Sequence, residues 1–207
     1  MTLSGIPSLI TLSPSDEQAA PRLQLLAQRL RAGESELVER VLRELLAPVR
    51  RWMFRLLGPN GEIDDAVQDA MGAIAGALHR FEGRSSVSTL AHTIVVRVAY
   101  THFGRRRHEL DQDAVDRAIG AVDPERQAMM REAMVRFYRC LDRLNETRRT
   151  AFVLCVVDAL AQYEAARIAG CSPVAMRARL FQARREMDAL IREDEVLAPM
   201  AREGVEP

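Results

Sequence analysis

Residues 162–187 read QYEAARIAGCSPVAMRARLFQARREM, and the order of signals in that stretch decides the fold. A short helical run, Gln162 to Ala169, stops at Gly170, a residue that can enter the left-handed turn at a helix end without a Cβ clash. Ser172-Pro173 then marks a new start. The serine hydroxyl can accept from the first free N–H groups, and proline at the first helical position lacks an N–H that would be unpaired anyway. On the helix that follows, Met176, Leu180, Ala183 and Met187 share one side. Val174, Ala178, Phe181, Gln182 and Arg185 point away from it, with Arg177 and Arg184 on a flank. A short helix, a three-residue turn and a longer capped helix is the helix-turn-helix layout. A core-facing stripe opposed by small residues, an amide and arginines fits a helix entering a major groove. The plainer alternative is an amphipathic terminal helix whose arginines are only solvated.

Working outward, apolar residues recur at helical spacing almost everywhere and no stretch alternates as a strand. Met130, Met134, Phe137, Leu141 and Leu144 form one amphipathic line, and Asn145 or Thr147 can cap the next helix, which runs through Phe152, Cys155 and Val156 to Leu160. Residues 108–124 are acidic and polar, with Gly120 and Pro124, and predict a linker. Before it, helices are expected from Leu37 to Leu56, from Asp64 to Phe81 and from Val87 to Phe103, the last ending at Gly104 and Arg105-Arg106-Arg107. Pro48 should kink or break the first of these, and Trp52 is most simply core. Ser15 and Gln18 resemble a capping box ahead of Leu23, Leu26 and Leu30. The expected fold is all-α: a disordered tail over 1–21, a helical domain over 22–107, a flexible linker over 108–125, a helix-turn-helix domain over 126–193 and a tail over 194–207.

Composition narrows the function classes. The 29 basic residues, all of them arginine, equal the 29 acidic ones, so the formal net charge is zero. Neutrality hides segregation: Asp64, Asp65 and Asp69 cluster, as do Arg105 to Arg107, and Arg177, Arg179, Arg184 and Arg185. An acidic patch and basic patches can serve different partners. No apolar run approaches the roughly 20 residues of a membrane span, so membrane insertion is not expected. Cys140, Cys155 and Cys171 make no CxxC pair, which points to neither disulfides nor a zinc ribbon and fits a reducing cytoplasm. His79, His92, His102 and His108 show no ligand spacing. With no phosphate loop and no nucleophile-base set, the chain is expected to carry no metal, cofactor or catalytic chemistry.

Asp64-Asp65-Ala66-Val67-Gln68-Asp69, Leu78 through Ser86, Thr89, and the run from Ile94 through Val98-Ala99 to the arginine triplet resemble conserved region two of extracytoplasmic-function sigma factors. Leu160, Glu164, Ala166, Ile168, Gly170, Ser172, Arg177, Arg179-Leu180 and Ala183-Arg184 resemble region four. The resemblance covers residues 25–192. It implies a transcription initiation factor that binds core RNA polymerase, through the clamp helices of the largest subunit and the flap, and that reads promoter DNA; most of the family also have an anti-sigma partner. Asp65, Gln68 and Asp69, at steps of three and four on one helix face, would meet polymerase. Arg84, Ser85, Ser86 and Arg97 would meet the downstream promoter element. Ser172, Val174, Arg177, Ala178, Phe181, Gln182, Arg184 and Arg185 would form the recognition helix on the upstream element. The chain departs from the pattern at Leu90, where tryptophan is usual, at Val87, where an aromatic is, and at Val96-Arg97, where Arg-Asn is; Gly72 and Ala75 replace bulkier residues. Strand opening needs groups that stack on or hydrogen-bond to unpaired bases. The alternative is therefore a sigma-like interaction protein that binds polymerase or a regulator without melting promoters.

Overall fold

The computed structural model describes residues 23–26, 28–30, 35–103, 115, 119 and 123–203. A 3₁₀ turn, Ser35–Leu37, leads into α1 (Val38–Leu57), α2 (Ile63–Leu78) and α3 (Val87–Phe103). The second half holds α4 (Pro124–Arg143), α5 (Glu146–Phe152), a π-helical turn (Val153–Val157), α6 (Gln162–Ile168), α7 (Pro173–Glu193) and α8 (Leu197–Glu203). Every described element is helical, in keeping with the all-α expectation. The capping box at Ser15 and Gln18, the arginine triplet and nearly all of the linker lie outside the described residues.

In the first half, Val41, Leu45, Val49, Met53 and Leu56 of α1 recur at helical steps and are essentially solvent-free, so α1 forms the inner wall against which α2 and α3 pack. Burial of each such side chain contributes about 1.5–3 kcal/mol. Pro48 does not break α1: the helix runs on past it, and the ring is buried beside Val49. The flanking residues are held by packing, which offsets the lost N–H bond. Ser86 caps α3, its hydroxyl accepting from the Thr89 N–H at 3.0 Å, and the observed helix spans Val87 to Phe103 as its apolar pattern predicts.

In the second half, α4 begins at Pro124, with the Asp123 side chain accepting from the Arg126 N–H at 3.0 Å. This Asp-Pro start repeats the logic of Ser172-Pro173 inside what the sequence assigns to a linker. Val115 is buried and Ile119 packs on the core, so these two linker positions are not simply solvated. Asn145 caps α5, accepting from the Arg148 N–H at 2.9 Å. The helix expected to continue to Leu160 instead widens into the π turn and then reverses at Ala159, which has φ of 53°. The expected tail after residue 193 also differs: the Asp194 carboxylate accepts from the Val196 and Leu197 N–H groups, both at 3.0 Å, and starts α8 with Leu197 fully buried.

The two halves share a seam. Phe54 of α1 meets Tyr138 of α4 edge-on at 5.7 Å between ring centroids. Gly58, at φ of 80°, lies under the same tyrosine, where an added Cβ would sit 2.7 Å from the ring. Both the backbone angle and the close approach require glycine. Arg149 of α5 is buried, donates through Nε to the Leu56 carbonyl at 2.6 Å, pairs with Asp142 and lies 5.4 Å from the Phe103 ring centroid. Arg55 of α1 pairs with Asp158 at 2.6 Å, and Arg167 of α6 donates to the Thr89 hydroxyl at 3.1 Å.

Candidate nucleic-acid and protein-docking faces

The helix-turn-helix is α6, the turn and α7. Gly170 has φ of 63°, and the Cys171 N–H reaches back to the Ala166 carbonyl at 3.0 Å, closing the end of α6. The Ser172 hydroxyl accepts from the Ala175 N–H at 3.1 Å, fixing the start of α7. Met176, Leu180, Ala183, Met187 and Ile191 are buried, so the opposite face is left to solvent. Val174 is 78% exposed and Phe181 62%, high values for apolar side chains that a closed core would hide. Arg177, Ala178, Gln182, Arg184 and Arg185 are exposed on the same helix. The Arg185 guanidinium sits 5.8 Å from the Phe181 ring centroid, a cation–aromatic contact that keeps both at the surface. Gln182 is partly committed, since its amide oxygen accepts from Arg148 Nε at 3.0 Å, and Arg148 also pairs with Glu186. Arg148 reaches this face from α5, 34 residues before Gln182, so nothing in the pattern of α7 alone points to it.

The acidic helix α2 presents Asp65, Gln68 and Asp69 to solvent. They line one polar concavity together with Glu62 and His102. His102, at the end of α3, is buried and stands 3.1 Å from Asp69 and 3.7 Å from Glu62. This histidine anchors the Asp69 carboxylate, a role invisible at a separation of 33 residues. Asp64 belongs elsewhere: it pairs with Arg50 at 2.5 Å on the α1 side. Among the described residues no group of three or more His, Cys, Asp or Glu side chains is arranged to hold a metal ion.

The loop ahead of α3 is more occupied than its sequence suggests. Arg84 is exposed and pairs with Glu82 at 2.7 Å. Ser85 donates to the Ser86 carbonyl, while Ser86 is spent as the α3 cap and also bonds Thr89 at 2.8 Å. Arg97 stands exposed further along α3. Two divergent positions have become core: Val87 and Val96 are buried, and Leu90 packs partly against the same core. Positions 87, 90 and 96 themselves carry aliphatic side chains, not rings.

The three cysteines are free thiols, with Cys140 buried and Cys155 and Cys171 partly so. Burial pushes Cys140 and Cys155 up to about 11, which keeps both protonated and unreactive at neutral pH. No helix of the described residues is long and apolar enough to cross a membrane.

Two family models match this chain in chain order. Residues 41–109 match Sigma-70 region 2, and residues 134–187 match Sigma-70, region 4. The ECF RNA polymerase sigma-E factor of Escherichia coli K12 is 29% identical over 180 residues, covering 80% of this chain and 92% of that protein. The probable RNA polymerase sigma-C factor of Mycobacterium bovis is 27% identical over 186 residues, covering 90% and 97%. Among solved structures, CnrH in complex with the cytosolic domain of CnrY superposes with a TM-score of 0.59 at 19% identity, covering 84% of this chain and 99% of that one. The sigma factor RpoE of Bartonella quintana, in complex with the anti-sigma factor NepR, gives 0.54 at 20% identity, covering 76% and 98%.

Proposed function

The chain belongs to the sigma-70 family as an extracytoplasmic-function sigma factor, a protein that directs transcription initiation, and from that premise we propose a division of labour among its exposed faces. The observation that carries the assignment is the joint one: regions 2 and 4 occur in order, and each presents an uncovered charged face of the matching sign.

Asp65, Gln68 and Asp69 dock on the clamp helices of the polymerase's largest subunit. Their support is shared exposure on α2 and the brace that His102 supplies to Asp69. Region 4 meets the flap and reads the upstream promoter element through α7, where Arg177 lies near the capped start and Arg184 and Arg185 lie two turns on. Arg177 then suits a base edge, and the later pair suit phosphates. Arg84, Ser85, Ser86 and Arg97 face the downstream element; Ser86 serves it only through the helix end it caps. With aliphatic residues at 87, 90 and 96, strand opening draws little on stacking, so supercoiled templates should be favoured over linear ones. The melting-incompetent alternative gains nothing from the family matches.

The chain acts without catalytic chemistry of its own, in the cytoplasm, where its thiols stay reduced. CnrH and RpoE are held by CnrY and NepR in their complexes, and a protein inhibitor of that kind is a further partner for this chain. Purification with native core polymerase, followed by sequencing of the bound DNA, tests the assignment. Recovery of a shared pair of promoter elements is expected, and core polymerase that never retains the chain would refute it.

A further inference from the structure

Given the assignment of α7 to the upstream element, on which this rests, we propose that Arg148 is a positioning residue for Gln182. It holds the Gln182 amide oxygen away from DNA, so that Gln182 selects a base edge that only accepts, guanine or thymine, and disfavours adenine.

The arrangement is built from α5 outward. The Asn145 side chain accepts from the Arg148 N–H at 2.9 Å and from the Thr147 hydroxyl at 3.0 Å. The backbone of Arg148 is thereby fixed in the first turn of a capped helix, and α5 packs directly against α7. From that base the guanidinium forks across to α7. Its Nε donates to the Gln182 amide oxygen at 3.0 Å, and a second nitrogen donates to the Glu186 carboxylate. Gln182 and Glu186 are one turn apart and so are neighbours on a single helix face. A planar fork with two partners loses less freedom for each bond formed than a flexible ammonium would. Glu186 also neutralises the guanidinium and gives it a partner other than phosphate.

An amide has one accepting end and one donating end. A guanidinium can only donate, so the atom it engages on Gln182 is the oxygen. Glutamine reads adenine by using both ends, the oxygen accepting from N6 and the NH2 group donating to N7. With its oxygen turned to α5, Gln182 keeps its NH2 donors for the groove. Guanine presents N7 and O6 there and thymine presents O4, all of them acceptors, whereas the N6 amino group of adenine would face another donor. The positive charge on the oxygen side polarises the amide and strengthens those donors. Gln182 is exposed, and one turn back stands Ala178, too small to screen it from a base edge. A merely structural Arg148–Glu186 pair, partly exposed at 30% and 40%, would add little stability and would carry no information about the base.

The test uses the full chain bound to native core polymerase and selected against a randomised upstream element. Gln182→Ala identifies the base pair concerned as the one where preference disappears. The parent should hold guanine or thymine there, and the base recovered says which of the two edges is read. Arg148→Met keeps the stem, removes the fork and frees the amide oxygen. It should shift selection at that position toward adenine by about tenfold and leave the other positions as they were. Arg148→Lys retains the charge without the planar fork; it should shift selection the same way, and it decides the matter if Arg148→Met does not fold. Unchanged preference in the folded Arg148 variants would overturn the proposal. So would a parent that already selects adenine at that position, or a Gln182→Ala variant that alters no position. A parent chain that selects no upstream element at all would refute the assignment of α7 itself, and the role of Arg148 with it.

Discussion

At the seam, Arg55 and Arg149 are 6% and 2% exposed and each is held by partners in the other half or by its own neighbours, whereas along α7 Arg177, Arg184 and Arg185 stand in solvent. The same side chain serves two ends. A guanidinium taken out of water must be matched by acceptors, and Leu56, Asp142 and Asp158 supply them. An exposed guanidinium keeps its fork free for phosphate or guanine. In a chain whose basic residues are all arginine, environment alone separates structural from recognition residues. Burial and DNA binding therefore predict opposite outcomes for substitutions that look alike on paper.

The largest expected contrast is between Arg149→Ala and Arg177→Ala. Losing Arg149 removes two hydrogen-bonded contacts and a buried stem, and should cost about 3–5 kcal/mol of stability. Losing Arg177 should stay within about 0.5 kcal/mol. Urea unfolding of both variants checks this, and equal stability losses would erase the distinction.

Gly58→Ala sharpens the seam side of the comparison without touching charge. It adds a Cβ 2.7 Å from the Tyr138 ring at a backbone φ of 80°, so a loss of about 1–3 kcal/mol is expected. A neutral result would mean that α1 and α4 are not held together as described.

On the recognition face, loss of a base contact costs about 1–3 kcal/mol at one position, while loss of a phosphate contact weakens all sequences alike. In the polymerase-bound protein, selected against a randomised upstream element at two salt concentrations, Arg177→Ala should change the preferred base. Arg184→Ala should lower affinity uniformly and reduce the salt slope by about one unit. Identical behaviour of the two variants would make Arg177 another phosphate contact.

The smallest effect is the pH response of the seam. Burial drives Asp158 up to about 6, although Arg55 pulls the other way. Burial and then Arg55 drive His92 from 6.5 down to about 3. A raised carboxyl adds stability as pH falls below about 6 and loses it as pH rises through that value. A depressed imidazole does the reverse: its contribution is present above pH 6.5 and drains away below it. Between pH 6.5 and 5 the two oppose each other. Asp158→Asn leaves His92 alone, facing Arg55 and the nearby Glu164, so the variant should lose up to about 1.4 kcal/mol per pH unit over that window, more steeply than the parent. Urea melts at pH 7 and pH 5 measure it; parallel curves would contradict it.

Much of this was legible in the residues. The start of α7 follows from Ser172-Pro173, its buried side from Met176, Leu180, Ala183 and Met187, and α3 from its apolar spacing. Asp123-Pro124 carried the same start signal and was obscured by its polar surroundings. Pro48 misleads because propensity is overridden when the residues around it are buried. Asp194 and Leu197 mark a cap and an anchor too short to show periodicity. The seam is the part no local pattern encodes: Arg55 and Asp158 lie 103 residues apart, and a single arginine among many gives no hint that it is buried. His102 beneath Asp69 escaped for the same reason.

The most direct test is promoter-dependent transcription by native core polymerase on a supercoiled host promoter. The account predicts a defined start with the parent chain, and loss of both that start and co-purification with core polymerase in Asp65→Arg/Asp69→Arg, while helicity remains normal. A parent chain that yields no promoter-dependent transcript, or a charge-reversed variant that transcribes as well as the parent, would contradict it.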